Sequence, residues 1–127
     1  MSLDITPAVP EGLQIIETYG AGRFSVAGTV YEGSVLVRPL ETVRWNIAPD
    51  ADVTIDAVAP FLDGLAGIDI LVIGCGSAFM PPPVGLGEAL KHRGLVLEWM
   101  DTGAACRTFN VLLAEGRQIA AALVAVE

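Results

Sequence analysis

Residues 69–74 read Asp-Ile-Leu-Val-Ile-Gly, four consecutive branched aliphatic side chains closed by a glycine. A strand with one wet face alternates apolar and polar residues. An unbroken apolar run marks a strand covered on both faces, the usual situation in a parallel sheet. The downstream sequence supports this choice. After Gly74–Cys75–Gly76 and a proline-rich turn, a helix is expected over about 83–93, with Pro83 in its first turn and Gly94 at its end. Leu95–Met100 forms a second apolar run, about Gly103–Glu115 a second helix, and Gln118–Val126 a last strand. This β-α-β-α-β order predicts parallel strands joined by right-handed crossovers.

Upstream of residue 69 the pattern differs. Leu13–Tyr19, Phe24–Ala27, Thr29–Tyr31, Ser34–Pro39 and Thr42–Asn46 are short β-prone runs, separated by Gly20–Gly22, Gly28, Glu32–Gly33 and Leu40–Glu41. Tight glycine-bearing turns between such runs predict an antiparallel β meander. Across 48–67, Thr54 can cap one or two helical turns that Pro60 interrupts. Residues 1–12, with Pro7, Pro10 and Gly12, are expected to be a flexible arm. Residues 13–127 then form a single mixed α/β domain, the first-half meander packed with the second-half β-α-β-α-β unit.

Composition narrows the function. The chain has 127 residues, 53% of them hydrophobic, but its longest apolar run, Ile119–Val126, is eight residues. A membrane-spanning helix needs about 20, so no membrane insertion is expected. The opening MSLDITPAVPEG has no basic stretch followed by an apolar one, so a cytoplasmic location is expected. A net charge of −8, from 15 acidic and 7 basic residues, opposes binding to nucleic acid and anionic lipid. Two cysteines 31 positions apart and one histidine supply no metal-ligand spacing. No metal and no cofactor are implied.

Three constellations carry the functional argument. Gly74, Cys75, Gly76 and Ser77 follow the buried strand where a phosphate-binding turn would sit, but Phe79 replaces the third glycine of GxGxxG. A plain tight strand-to-loop turn explains them better than a dinucleotide site. Asp101, Thr102, Arg107 and Asn110 surround the start of the second helix, at the carboxyl end of a strand, where α/β sheets place their crevices. Together the two groups define a candidate ligand or partner patch; the alternative is a helix cap with a solvated face. Phe79, Met80, Pro82 and Pro83 form a stiff apolar loop, either a partner anchor or a rigid lead into the helix. No catalytic residue is assigned, because any His-based triad would need His92. That histidine lies between Lys91 and Arg93 at a helix end that favours cations.

Several segments together resemble a known family. They are Tyr31–Ser34, Trp45, Ile73–Gly76, the run Met100–Asp101–Thr102 with Ala105, Arg107, Thr108, Phe109, Asn110, Val111 and Leu112, and Glu115–Arg117 with Ile119–Val124. The resemblance is to the Mth938-like domain family of unknown function (DUF498/DUF598). That family includes a mitochondrial assembly factor for respiratory complex I and an adipogenesis-associated protein. It implies a compact α/β fold with an antiparallel layer and a β-α-β-α-β unit. Gly-Cys-Gly stands here where Gly-Thr-Gly is commoner in the family. The expected function is a non-catalytic interaction or assembly factor with protein partners. The alternative is a small-molecule binding domain or enzyme using a crevice between the Gly74–Ser77 turn and the Asp101–Asn110 helix start. An exposed antiparallel edge would also allow a homodimer.

Overall fold

The computed structural model describes residues 11–48 and 51–127; of the expected arm, only Glu11 and Gly12 fall among them, in a turn. Strands β1 (Ile16–Gly20), β2 (Arg23–Val26) and β3 (Thr29–Glu32) make a three-stranded antiparallel sheet. Its hairpins close through Ala21–Gly22 and Ala27–Gly28, with Ala21 at φ 53° and Ala27 at φ 48°. Two consecutive positive-φ residues twist a hairpin in the sense its strands require, which outweighs the steric cost to alanine.

The chain then enters a second sheet through β4 (Val35–Val37) and β5 (Thr42–Arg44), followed by helix α1 (Ile55–Leu62). The remaining elements are β6 (Ile70–Gly74), α2 (Leu86–Lys91), β7 (Val96–Met100), α3 (Thr102–Ala114) and β8 (Ile119–Leu123). The five-stranded sheet has the order β5-β4-β8-β6-β7. As expected, β6 pairs in parallel with β7 and with β8, while β4 runs antiparallel to β8. The meander therefore ends at β3. Val35, Leu36 and Val37 are buried on both faces, and only the larger sheet has apolar layers on both sides.

Alternation along the central strands divides the interior in two. Ile70 and Val72 of β6, with Ile119, Ala121 and Leu123 of β8, face a core built from α3 and the small sheet, where Phe24 and Phe109 are fully buried. Leu71 and Ile73, with Ala120 and Ala122, face α1 and α2 through Phe61, Leu86 and Leu90. The first crossover runs through α2 from β6 outward to β7, and the second runs through α3 from β7 back past β6 to β8, in the opposite direction across the sheet. Right-handed connections running in opposite directions must lie on opposite faces, so α2 and α3 flank the sheet.

Two helices differ from expectation. α1 runs eight residues despite Pro60, which sits on its exposed side, and Thr54 Oγ1 accepts from the Ala57 N–H at 3.3 Å. α2 is shorter than the expected 83–93 span. Gly85, at φ 87°, occupies its N-cap, and Pro83 lies in the preceding turn, its carbonyl accepting from Leu86 N–H at 3.2 Å. A left-handed residue cannot continue into a right-handed helix, so the helix begins at Leu86. Among the described residues no helix is long and apolar enough to cross a membrane.

Candidate functional site

At their carboxyl ends β6 and β7 send the chain to opposite faces of the sheet. Such a divergence opens α/β sheets to ligands, so its geometry decides what this domain offers. The seam between the β6 turn and α3 is built first by an absence. A Cβ on Gly74 would lie 2.8 Å from Thr102 Cα and 3.1 Å from Ala105 Cβ, so only glycine lets the helix start this close to the strand. Two residues on, Gly76 adopts φ 122°, a conformation open to glycine and strained for other residues.

Thr102 fills the seam. Its hydroxyl, fully buried, donates to the Val124 carbonyl at 2.7 Å and accepts from the Gly76 N–H at 3.1 Å. Its own N–H donates to the Gly76 carbonyl at 2.8 Å. The Cys75 N–H donates to Met100 O at 2.9 Å, and the Val124 N–H to Gly74 O at 3.0 Å. Asp101 caps the helix, Oδ1 accepting from Ala104 N–H at 3.0 Å. Gly74–Ser77 and Asp101–Thr102 are thus brought together, but by direct contact. The expected crevice between turn and helix start is closed, because hydrogen bonds and the missing Cβ draw the two segments together.

Arg107 and Asn110 face elsewhere. With Gly103 they form a stripe at helical spacing that lies against β1. Asn110 Oδ1 accepts from Ile16 N–H at 2.9 Å and its Nδ2 donates to Ile16 O at 2.8 Å, so the amide serves Ile16 as a neighbouring strand would. The clamp falls where the β1–β2 register shifts, between Ile16 and Thr18. Arg107 is exposed and reaches the Tyr19 hydroxyl at 3.4 Å. Neither side chain joins the strand-end seam.

The open space lies on the α2 side of the sheet. A cleft of about 320 Å³ is bounded by Asp52, Val53, Cys75, Met80, Pro83 and Trp99. The Trp99 indole N–H donates to Met80 O at 2.6 Å, tying the end of β7 to the proline loop. Beside the cleft, Phe79 and Met80 are 62% and 58% exposed and Val84 fully so. Three prolines hold this segment extended, at little further entropy loss on binding. Sequence reasoning missed Asp52, Val53 and Trp99. Strand alternation, which puts Leu97 and Trp99 on the face opposite Met100, was the signal that would have found Trp99.

The two thiols differ. Cys75 is half-buried, its sulfur 3.5 Å from the Ala78 carbonyl. Cys106 is packed into the core under α3, and its pKa is pushed from 9.0 up to about 12. Burial is the main cause, with Arg107 opposing and the Asp101 carboxylate adding. The unfolded thiol ionises near pH 9 while the folded one keeps its proton, so this contribution to stability is whole below pH 9 and lost as pH rises toward 12. Unfolding free energy is expected to fall above pH 9 by about 1.4 kcal/mol per pH unit more steeply than in Cys106→Ala. Urea titrations of both proteins at pH 8, 9.5 and 10.5 measure the difference; parallel pH profiles would refute it. Among the described residues no three His, Cys, Asp or Glu side chains gather to hold a metal ion.

The signature segments elsewhere in the chain also fasten the fold. Ser34 Oγ accepts from Ala125 N–H at 2.8 Å and Ser34 O from Trp45 N–H at 2.9 Å. The Trp45 indole N–H donates to Ala57 O at 2.9 Å.

Comparison with known proteins places these features in a family. Residues 16–124 match the model of a family described as protein of unknown function (DUF498/DUF598). The chain is similar to NADH dehydrogenase (ubiquinone) 1 alpha subcomplex assembly factor 3 of Danio rerio, 33% identical over 110 residues, covering 87% of this chain and 63% of that protein. The chain therefore spans less than two thirds of that relative's length. A crystal structure described as an outer membrane protein from Bartonella henselae superposes with a TM-score of 0.82 at 36% identity, over 91% of this chain and 98% of that one. A solution structure from Bordetella pertussis described as an Mth938-like domain superposes with a TM-score of 0.77 at 26% identity, over 98% and 92%. The fold implied by the sequence resemblance is the fold observed, and the chain belongs to the DUF498/DUF598 family of Mth938-like domains.

Proposed function

We propose that this domain is a non-catalytic assembly factor that works by protein contact, using the Phe79–Val84 loop and the adjoining cleft. The observation that carries this reading is the exposure of Phe79, Met80 and Val84 on a proline-stiffened segment. Large apolar side chains held rigidly in water serve as anchors for a partner. The names of the relatives support an assembly role. So does the use of the signature residues Thr102, Asn110, Ser34 and Trp45 as fold fasteners.

The test is capture from the native host with the wild-type chain and a Phe79→Asp/Met80→Asp double variant, alongside native-gel analysis of respiratory complexes in a deletion strain. A partner recovered by wild type, lost by the double variant, and an assembly defect on deletion are the expected results. Normal complex assembly together with no stable partner would sink the proposal. A second reading, a small-molecule binding domain, is favoured by the cleft of about 320 Å³, at the small end of the ~300–1,000 Å³ range of ligand sites. A ligand-induced thermal shift lost in Trp99→Leu would support it. Shifts insensitive to Trp99→Leu but lost in Arg107→Ala would instead place the site on α3.

A further inference from the structure

An accounting of donors and acceptors in the cleft narrows what can occupy it. Among the described side chains lining it, two can donate a hydrogen bond, and both are engaged. The Trp99 indole N–H is held by Met80 O at 2.6 Å. The Cys75 sulfur lies 3.5 Å from Ala78 O. Asp52 is exposed at the lip and brings an acceptor and a negative charge. The other walls, Val53, Met80 and Pro83, are apolar. A donor-poor, acceptor-bearing cleft with an aromatic wall suits a cation with an apolar stem. A guanidinium or ammonium can pair with the carboxylate, lay its methylenes on the apolar walls and meet the indole surface.

Charge over the whole chain points the same way. At −8 net, the protein repels a second copy of itself and any acidic segment, and attracts a basic one. Phe79 and Val84, exposed beside the cleft, supply apolar contact for residues flanking the cation. We infer that the cleft between Asp52 and Trp99 receives an arginine or lysine side chain from an extended basic-apolar segment of a partner protein. This rests on the protein-contact reading and adds the chemistry of the contact.

The test titrates the isotopically labelled full chain with a terminally blocked Leu-Arg-Leu-Arg-Leu peptide, its citrulline counterpart, which is nearly isosteric but uncharged, and a Leu-Glu-Leu-Glu-Leu control. The readout is the Trp99 indole N–H signal together with the amides of residues 51–53 and 75–80. The arginine peptide is expected to shift these saturably, at least about tenfold tighter than the citrulline peptide, as one charge-assisted contact worth 1.4 kcal/mol or more requires. Added salt should weaken it, and Asp52→Asn, an exposed substitution that spares the core, should erase the preference. Equal binding of the arginine and citrulline peptides, shifts confined to other surfaces, or no saturation would each overturn the inference. Capture from the host separates this failure from failure of the broader reading. A partner lost in Phe79→Asp/Met80→Asp but retained in Asp52→Asn and Trp99→Leu leaves protein contact standing and removes the cation.

Discussion

Replacing Phe109 with alanine is expected to destabilise the domain by about 3–5 kcal/mol, the range for a fully buried aromatic whose removal leaves a cavity. The side chain has no exposed surface and lies in the core that α3 shares with the small sheet, where Phe24 is likewise fully buried. Collapse around the hole is hindered from both sides. The Asn110 clamp on Ile16 fixes the distance between α3 and β1, and the Thr102 seam fixes the other end of the helix. For a domain of this size the loss corresponds to a fall in Tm of about 10–20 °C. Thermal and urea denaturation measure it, with Phe109→Leu expected to lose less. A cost below about 1.5 kcal/mol would mean that the helix can move, and the clamp would not be the rigid fastener described.

Thr102→Val should cost about 2–4 kcal/mol although it preserves shape and volume. The hydroxyl satisfies the Val124 carbonyl and the Gly76 N–H, one in each direction, in a site closed to water. A methyl group there leaves two polar groups without this partner, each carrying a desolvation cost of about 1–3 kcal/mol. Thr102→Ser keeps the hydroxyl and is expected to lose far less. The contrast separates hydrogen bonding from packing: equal losses in the two variants would show that the methyl group matters and the hydroxyl does not. Because the seam closes the expected crevice, Thr102→Val also tests whether this rim is structural. Loosening it should increase amide exchange at Gly76 and in the first turn of α3 before the rest of the core.

Much of this fold was legible in the chain because its strongest signals are local. The Ile70–Gly74 run, the Asp101 cap and the glycine at 94 each declare an element boundary through nearby residues. What escaped depends on distance along the chain. Nothing around Val35–Val37 says that its partner is Leu123 and its neighbours rather than the preceding strand. Asn110 reads as a solvated helix residue until Ile16, 94 positions away, supplies the backbone it binds. The candidate patch is read at the carboxyl ends of the strands, where α/β sheets place their crevices. The open cleft lies on the other side of the turn, since whether a seam is closed or open depends on contacts such as Gly74 against Thr102. The late start of α2 had the same origin: three prolines were visible, but the left-handed turn at Gly85 was not.

The position of β8 bears on how the chain is made. Residues 119–123 lie between β4 and β6 in the sheet order, yet they are synthesised after every other strand. Until they emerge from the ribosome, the β4–β5 hairpin and the β6–β7 pair have no common border. Each presents a bare row of backbone groups flanked by valine and isoleucine. With β7 ending at Met100 and β8 starting at Ile119, the nascent chain passes late in its synthesis through a stage of two half-sheets awaiting a shared middle, when a chaperone that masks such borders has the most to protect.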